Sequence, residues 1–427
     1  MDLLEDFKAR GLFHQATDEA ALREALSKGV VTGYIGFDPT AASLHVGSLL
    51  QIILLVRLQR AGHRPIAVVG GGTGLIGDPS GKQAERTLLT REALDVNLQG
   101  IRKQLGRYLD FEAPTNAALM IDNADWLCGL GLIDFLRDVG KHFSVNAMVQ
   151  RDAVKKRLEE RDQGISYTEF SYMLLQAYDF VALYDRHGCT LQLGGSDQWG
   201  NIVSGIDLIG RMRGASAHGL TVPLITSSDG TKFGKTEKGA VWLDPALTSP
   251  YEFFQFWLNT ADADVERYLH FFSFLAGDEV AAVMKEHDLD ASKRVAQRRL
   301  AKEVTTFVHG EGEFQKAERA TRVFFGGDDW RTLDERDLDA AFSDAPSTDL
   351  DPALLGTPDA ALTTLLVKAG LYPSKGQART GIEQSGVSVN NAVEKSPQRV
   401  ISRDDLLPGG YVVLRKGKKH YHVLRAR

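Results

Sequence analysis

Only two cysteines, Cys128 and Cys189, occur in this chain of 427 residues. That scarcity excludes a disulfide framework and a cysteine-built structural zinc site, and it suits a reducing cytoplasm. Long apolar runs are missing as well. The longest, Ile52 to Val56, falls far short of the roughly 20 residues a membrane helix needs, so no membrane partner is expected. The N-terminus is acidic and carries no apolar stretch, which argues against a secretory leader. Internal repeats and low-complexity tracts are absent. Hydrophobic residues make up 43% and charged residues 25%, values of a globular chain rather than a disordered or fibrous one.

Charge is unevenly spread. From Lys368 onward there are twelve Lys or Arg against four acids, a net of +8, and the chain total of −6 leaves −14 on the rest. A basic tail on an acidic body fits a polyanion partner, and it fits a solvated lysine-rich surface equally well.

The first half alternates short apolar strands with helical patterns. Strands are expected at Val30–Phe37, Pro65–Gly70, Ala118–Ile121 and Thr190–Leu193. Helices are expected over Leu44–Ala61, with Ser43 as N-cap and Gly62 past the end, and over Arg91–Leu109 and Gly131–Val139. This alternation predicts an α/β fold with a doubly wound parallel sheet, whose ligands bind beyond the C-terminal strand ends. The chain divides by composition into 1–225, an α/β body with a helical insertion; 226–325, a polar lysine-bearing loop and aromatic-rich helices; 326–359, an acidic linker region interrupted by Pro346, Pro352 and Pro358; and 360–427, the basic tail, ending in strands such as Val387–Val389 and Tyr411–Leu414.

Five stretches carry candidate chemistry. In Phe37-Asp38-Pro39-Thr40 followed by Ser43-Leu44-His45-Val46-Gly47-Ser48, a helix begins after a strand, and its free N–H groups suit a phosphate. Gly47 inside that helix costs about 1 kcal/mol against Ala, which makes sense if something flat lies on the backbone. A plain strand-to-helix junction is the alternative. The run Gly70 to Lys82 matches G-x-G-x-x-G at 72, 74 and 77, but Asp78-Pro79-Ser80-Gly81 is turn chemistry where that motif requires a helix, and the P-loop pattern fails too. It remains a loop offering Asp78, Lys82 and Arg86 to an amine or a polyphosphate. In Tyr167–Asp179 a helix would set Tyr172, Gln176 and Asp179 on one face, lining a pocket or facing solvent. Gly194–Asn201 follows a strand and places Asp197 where an acid could meet a ribose diol, or forms a simple turn. Ser227–Thr236 is small and polar, with Lys232 and Lys235 able to stabilise a developing phosphate charge or to lie in solvent.

Taken in order, these stretches resemble the class I aminoacyl-tRNA synthetases, and within them the bacterial tyrosyl-tRNA synthetases. His45-Val46-Gly47-Ser48 stands where the class carries His-Ile-Gly-His, and Lys232-Phe233-Gly234-Lys235-Thr236 where it carries Lys-Met-Ser-Lys-Ser. Tyr34–Thr40, Gly77–Lys82, Tyr172–Asp179 and Gly194–Asn201 resemble motifs of the tyrosine branch, and the tail from about Lys375 is similar to a small RNA-binding domain. The resemblance implies a Rossmann-like catalytic domain, a helical domain and a small α+β RNA-binding domain. It implies a cytoplasmic ligase that makes tyrosyl-adenylate from L-tyrosine and ATP, with Mg2+ travelling on the ATP, and then charges tRNA(Tyr). The family is a C2 homodimer.

The same resemblance assigns Thr40, His45, Lys82, Arg86, Lys232 and Lys235 to the triphosphate, and Gly36, Asp38, Gly47, Ser48, Gly195 and Asp197, with Lys235 again, to the nucleotide. It gives Tyr34 and Asp179 to the phenolic hydroxyl, Asp78, Tyr172 and Gln176 to the ammonium, and Gln198 to the carboxylate. RNA contacts fall to Lys375, Arg379, Arg415, Lys416, Lys418 and Lys419. Ser48 departs from the signature's second His and cannot carry its charge. Three rival readings remain open: the tryptophan-specific enzyme, a catalytically silent RNA-binding relative, and a nicotinamide oxidoreductase reading Gly72, Gly74 and Gly77.

Overall fold

The structure is a computed structural model. It describes residues 2–78, 90–150, 154–155, 165–228, 230, 233–236, 239–326, 330–342, 345–417 and 420–426, with the backbone alone at 235–236, 323–326, 332, 337 and 340. Lys82, Arg86, Lys232, Lys418 and Lys419 lie outside the described residues. The chain forms two units, one of residues 1–247 with 261–296, the other of 248–260 with 297–427.

In the first unit the strands are β1 (Gln15–Ala16), β2 (Thr32–Phe37), β3 (Arg64–Val69), β4 (Leu119–Asp122), β5 (Cys189–Gly195) and β6 (His218–Val222). β2 and β3 are buried along nearly their whole length, the signature of interior strands covered on both faces. The order is β1-β6-β5-β2-β3-β4. β2 pairs in parallel with both β3 and β5, whereas short β1 closes one edge antiparallel to β6. The sheet is thus doubly wound, and the chain departs in opposite directions from the β2–β5 pair. Helix α1 (Leu3–Ala9) and α2 (Glu19–Lys28) precede β2. Helix α3 (Val46–Arg60), with ten of its side chains buried, rests on β2 and β3. Helix α4 (Arg91–Leu105) packs on β3, and at Gly100 an added Cβ would lie 1.9 Å from the Ala42 carbonyl oxygen, so glycine lets this helix press on the loop before α3.

Short helices α5 (Ala124–Leu127), α6 (Leu132–Asp138) and α7 (Val145–Val149) lead to α8 (Tyr167–His187). Ser166 caps α8 at its start and Gly188, at φ +60°, ends it. Helix α9 (Trp199–Arg213) lies against α8 and β5. Beneath them Tyr34, Phe180, Val181, Leu183 and Cys189 share one apolar cluster. The segment after β6 carries β7 (Lys235–Thr236) and β8 (Gly239–Ala240).

The start of α3 differs from expectation. Its N-cap is His45, whose Nδ1 accepts the Gly47 N–H at 3.0 Å, and not Ser43. The Ser43 hydroxyl instead binds the Leu44 carbonyl and accepts from Gln104 and from the Asp244 N–H.

The second unit holds α10 (Pro250–Leu258) and most of α13 (Val295–His309); α11 (Asp262–Phe272) and α12 (Gly277–Leu289) belong to the first. It continues with α14 (Glu311–Gly326), α15 (Glu335–Phe342), α16 (Leu362–Lys368) and α17 (Lys375–Glu383). Its sheet has the order β11-β10-β12-β13-β9, from β9 (Ser347–Asp349), β10 (Val387–Val389), β11 (Ala392–Glu394), β12 (Tyr411–Lys416) and β13 (His420–Arg425). The stretch 326–359, expected as a linker region with room for one short helix, contributes the helix α15 and also the strand β9. The latter pairs in parallel with β13, and Leu338 and Phe342 join a buried cluster with Trp330, Tyr411 and Val423. Apolar residues at helical spacing inside an acidic segment account for this. Among the described residues no helix is long and apolar enough to cross a membrane.

Candidate functional site

Where β2 and β5 part, their C-terminal ends open on a cavity of about 320 Å3. It is lined from β2 by Tyr34 and Gly36, from the following loop by Asp38 and Thr40, and from the tip of α3 by His45, Gly47 and Ser48. Asp78 enters from beyond β3; Tyr172, Gln176 and Asp179 come from one face of α8; Asp197 and Gln198 follow β5. Gly195 lies between lining residues Gly194 and Asp197, and a Cβ there would approach the Asp197 carboxylate to 2.6 Å. Thirteen sequence-chosen residues therefore share one crevice, as a switch point of a doubly wound sheet provides.

At the apolar end the Asp179 carboxyl is buried, with the Trp126 indole donating to Oδ1 at 2.7 Å and the Asn123 amide to Oδ2 at 3.0 Å. Burial pushes its pKa up to about 7; the two donors hold it down, and neighbouring Asp122 and Asp38 add to the rise. Tyr34 shares this wall, its ring edge-on to Phe180 at 5.2 Å. Burial and the nearby Asp179 drive the Tyr34 phenol well above its ordinary value, so it stays a neutral hydroxyl. That hydroxyl is buried with no hydrogen-bond partner among the described residues.

Farther out, a polar chain crosses the site. Gln198 donates to Asp78 at 3.0 Å, Gln176 to Gln198 at 3.3 Å, and Asn201 to both Gln176 and Gln198 at 2.9 and 3.0 Å.

Residues 27–326 match the family "tRNA synthetases class I (W and Y)", and residues 337–424 match "Tyrosine--tRNA ligase SYY-like C-terminal domain". Tyrosine--tRNA ligases of Anaeromyxobacter dehalogenans and Bacillus caldotenax are 53% and 51% identical to this chain, over 100% of each chain in both pairs. The chain belongs to the tyrosyl-tRNA synthetase family. Among solved structures, a C-terminally truncated mitochondrial tyrosyl-tRNA synthetase of Aspergillus nidulans superposes with a TM-score of 0.68 at 31% identity, covering 76% of this chain and 94% of that one.

The described part of the second signature, Phe233–Thr236, meets the first at the tip of α3. Val46 N–H donates to the Val241 carbonyl at 2.9 Å, Leu243 N–H to Leu44 at 2.9 Å, and Val241 N–H to Gly234 at 3.1 Å. His45 and Trp242 form a β-bridge with their rings 6.1 Å apart. Gly234, at φ +78°, sits so close that a Cβ would lie 2.6 Å from Val46 Cγ2. The backbone of Lys235 is thereby held beside the tip of α3. Gly47 has a local cause: a Cβ there would lie 2.6 Å from the His45 ring.

Among the described residues the glycine run after β3 starts no α-helix: Thr73–Leu75 makes a single 3-10 turn and Gly77 takes φ +85°. That removes the structural context the dinucleotide reading requires. Lys375 and Arg379 stand on α17, Arg379 near Glu383 at 3.7 Å. Arg415 and Lys416 lie on β12, where Lys416 donates to the Leu371 carbonyl at 2.9 Å and sits over the Tyr372 ring.

Sequence reasoning missed Asn123 and Trp126, which hold Asp179. The available signal was a polar Asn immediately after β4, at the sheet end where ligands gather. Asn123 also accepts the Gly72 N–H at 2.8 Å, fastening the glycine loop to the same carboxyl. Replacing Asn123→Ala removes a donor that favours the charged form, so the Asp179 carboxyl should titrate above about 7. Infrared titration of its carboxyl band checks this; an unchanged or lower midpoint would contradict the pairing.

Proposed function

We propose that this chain joins L-tyrosine to tRNA(Tyr) in two steps. A tyrosine carboxylate oxygen attacks the α-phosphorus of ATP, the bond to the β-phosphate breaks, and pyrophosphate leaves tyrosyl-adenylate behind. A hydroxyl of the terminal tRNA ribose then attacks the acyl carbon and AMP departs. Mg2+ enters with the ATP as part of that substrate. No protein nucleophile is required, so catalysis rests on positioning and on stabilising phosphate charge.

The observation that carries this reading is the unpartnered Tyr34 hydroxyl beside the Asp179 carboxyl. A phenol satisfies both, donating to Asp179 while accepting from Tyr34. An indole N–H can only donate and would leave Tyr34 unpaired. A phenylalanine ring would leave both groups unpaired, and tyrosyl-tRNA synthetase is itself the standing example of such rejection, so no editing site need be sought.

In this reading Asp78, Tyr172 and Gln176 bind the ammonium and Gln198 the carboxylate. Gly36, Asp38, Gly47, Ser48, Gly195 and Asp197 face the nucleotide. Thr40 and His45 meet the triphosphate. Because His45 Nδ1 accepts from the Gly47 N–H, the neutral ring carries its proton on Nε2, the nitrogen that would donate to a phosphate oxygen. Lys82, Arg86, Lys232 and Lys235 supply the cations. Catalysis falls to 1–225 with the loop and helices of 226–325. Beyond the stretch 326–359, the domain 360–427 binds tRNA phosphates through Lys375, Arg379, Arg415, Lys416, Lys418 and Lys419. The enzyme acts in the cytoplasm as a homodimer. Exposed Leu132 and Ile133 on α6, Val145 on α7 and Tyr167 at the start of α8 are apolar side chains that a twin subunit would cover.

Pyrophosphate exchange should depend on tyrosine among all amino acids tested. Tyr34→Phe should lower the preference for tyrosine over phenylalanine by roughly 2- to 12-fold, the worth of one hydrogen bond; an unaltered ratio refutes the phenol contact. Lys375→Glu with Arg379→Glu should weaken tRNA charging, flatten its salt dependence and spare adenylate formation. Normal charging by that variant at physiological salt would sink the tail assignment. Leu132→Asp with Ile133→Asp should halve the mass seen by sedimentation; an unchanged mass places the subunit contact elsewhere.

A further inference from the structure

The stem of the lysine-bearing loop rests on α11. Asp264, in the first turn of α11, is 4% exposed. Its Oδ2 accepts both the N–H and the hydroxyl of Ser228, at 2.9 and 2.8 Å. Its Oδ1 accepts Arg267 Nη2 at 2.8 Å, and the same guanidinium donates to the Thr226 carbonyl. The Tyr268 hydroxyl reaches that carbonyl at 3.3 Å. On the far side of the loop, Phe233 stacks on Phe272 at 5.4 Å and meets the Tyr268 ring edge-on at 5.1 Å. One face of α11 therefore grips the chain both before and after the loop.

The other end of α11 is tied to α3 and to the segment after α1. Arg57, on α3, donates to the Ser273 carbonyl and pairs with Asp6 at 3.0 Å. Arg10 donates to the carbonyls of His270 and Leu275 at 3.4 and 2.8 Å. The helix whose tip presents His45 and the helix that grips the loop are thus fastened to each other by buried or half-buried guanidinium contacts.

We infer that Asp264, with Arg267, is a positioning residue for adenylate formation: it sets the loop stem so that the loop's lysines meet the triphosphate held at the tip of α3. The inference rests on the adenylate-forming reading above. A charged carboxylate accepting from two groups of the loop and from Arg267 makes strong bonds, and a displacement of about 1 Å in a charge-stabilising group costs roughly 100-fold in rate. Tyrosine itself is held by β2 and α8, away from these contacts, so its binding should not feel the change. A merely structural Asp264 would instead lower thermal stability with no selective effect on one substrate step.

The test is single-turnover adenylate formation by the full-length enzyme, with tyrosine Kd and thermal unfolding measured on the same samples. Asp264→Asn keeps the shape and weakens the grip, and Arg267→Ala, at a half-exposed side chain, leaves the core intact. Arg213→Ala, which breaks an exposed pair with Asp185 on α8 and α9, is the control. Both test variants should form adenylate roughly 10- to 100-fold more slowly with tyrosine Kd within about twofold of wild type, and the control should match wild type. Asp264→Glu should recover part of the loss. Active wild type beside folded variants of unchanged rate would overturn this inference alone, as would a loss shared equally by tyrosine binding. Wild type without tyrosine-dependent adenylate formation would overturn the underlying reading, and this inference with it.

Discussion

A parallel sheet can open a crevice only where two neighbouring strands send their chains to opposite sides, and here that place is the β2–β5 pair. Interior burial fixes the pair: β2 is too apolar to lie at an edge, and β5 is buried along most of its length. From that constraint follows nearly everything at the site. The loops after both strands part, the tip of α3 sets His45, Gly47 and Ser48 at the gap with its first N–H groups already bonded to His45 and Val241, and α8 lays one polar face across it.

The second demand is a carboxyl kept out of water. An unpaired buried charge would move its pKa further, or disrupt the core. Asn123 and Trp126 hold Asp179 at a value near neutrality, and they leave lone pairs open toward the cavity. The adjacent Tyr34 hydroxyl completes a donor and acceptor pair set in an otherwise apolar wall. On the proposed reading, selectivity for a hydroxylated ring would rest on unmet hydrogen bonds rather than on cavity size.

Much of this was legible in the residue order, because strand, glycine loop and helix start follow one another locally. The face Tyr172, Gln176 and Asp179 needed only helical spacing, and α8 supplies it. What stayed hidden depends on partners distant in sequence. Ser43 reads as a helix cap, yet Gln104 and Asp244 engage its hydroxyl from elsewhere, and the cap passes to His45. Gly47 reads as room for a ligand, and the structure shows it also makes room for a histidine ring. Ser347–Asp349 is short, polar and next to a proline, so nothing local announces a strand; the free edge of β13 does. Asp264 looks like any acid in a first helical turn until Ser228 is placed beside it.

Gly234 presses on Val46, and the backbone of 241–243 is stitched to that of 44–46. The two hallmark segments are therefore one mechanical part, although most of the catalytic unit separates them in sequence. A loop transplanted from a relative would arrive with a foreign footprint on α3. Only an exchange that carries the supporting strap, and a matching residue at position 46, would reproduce the native fit.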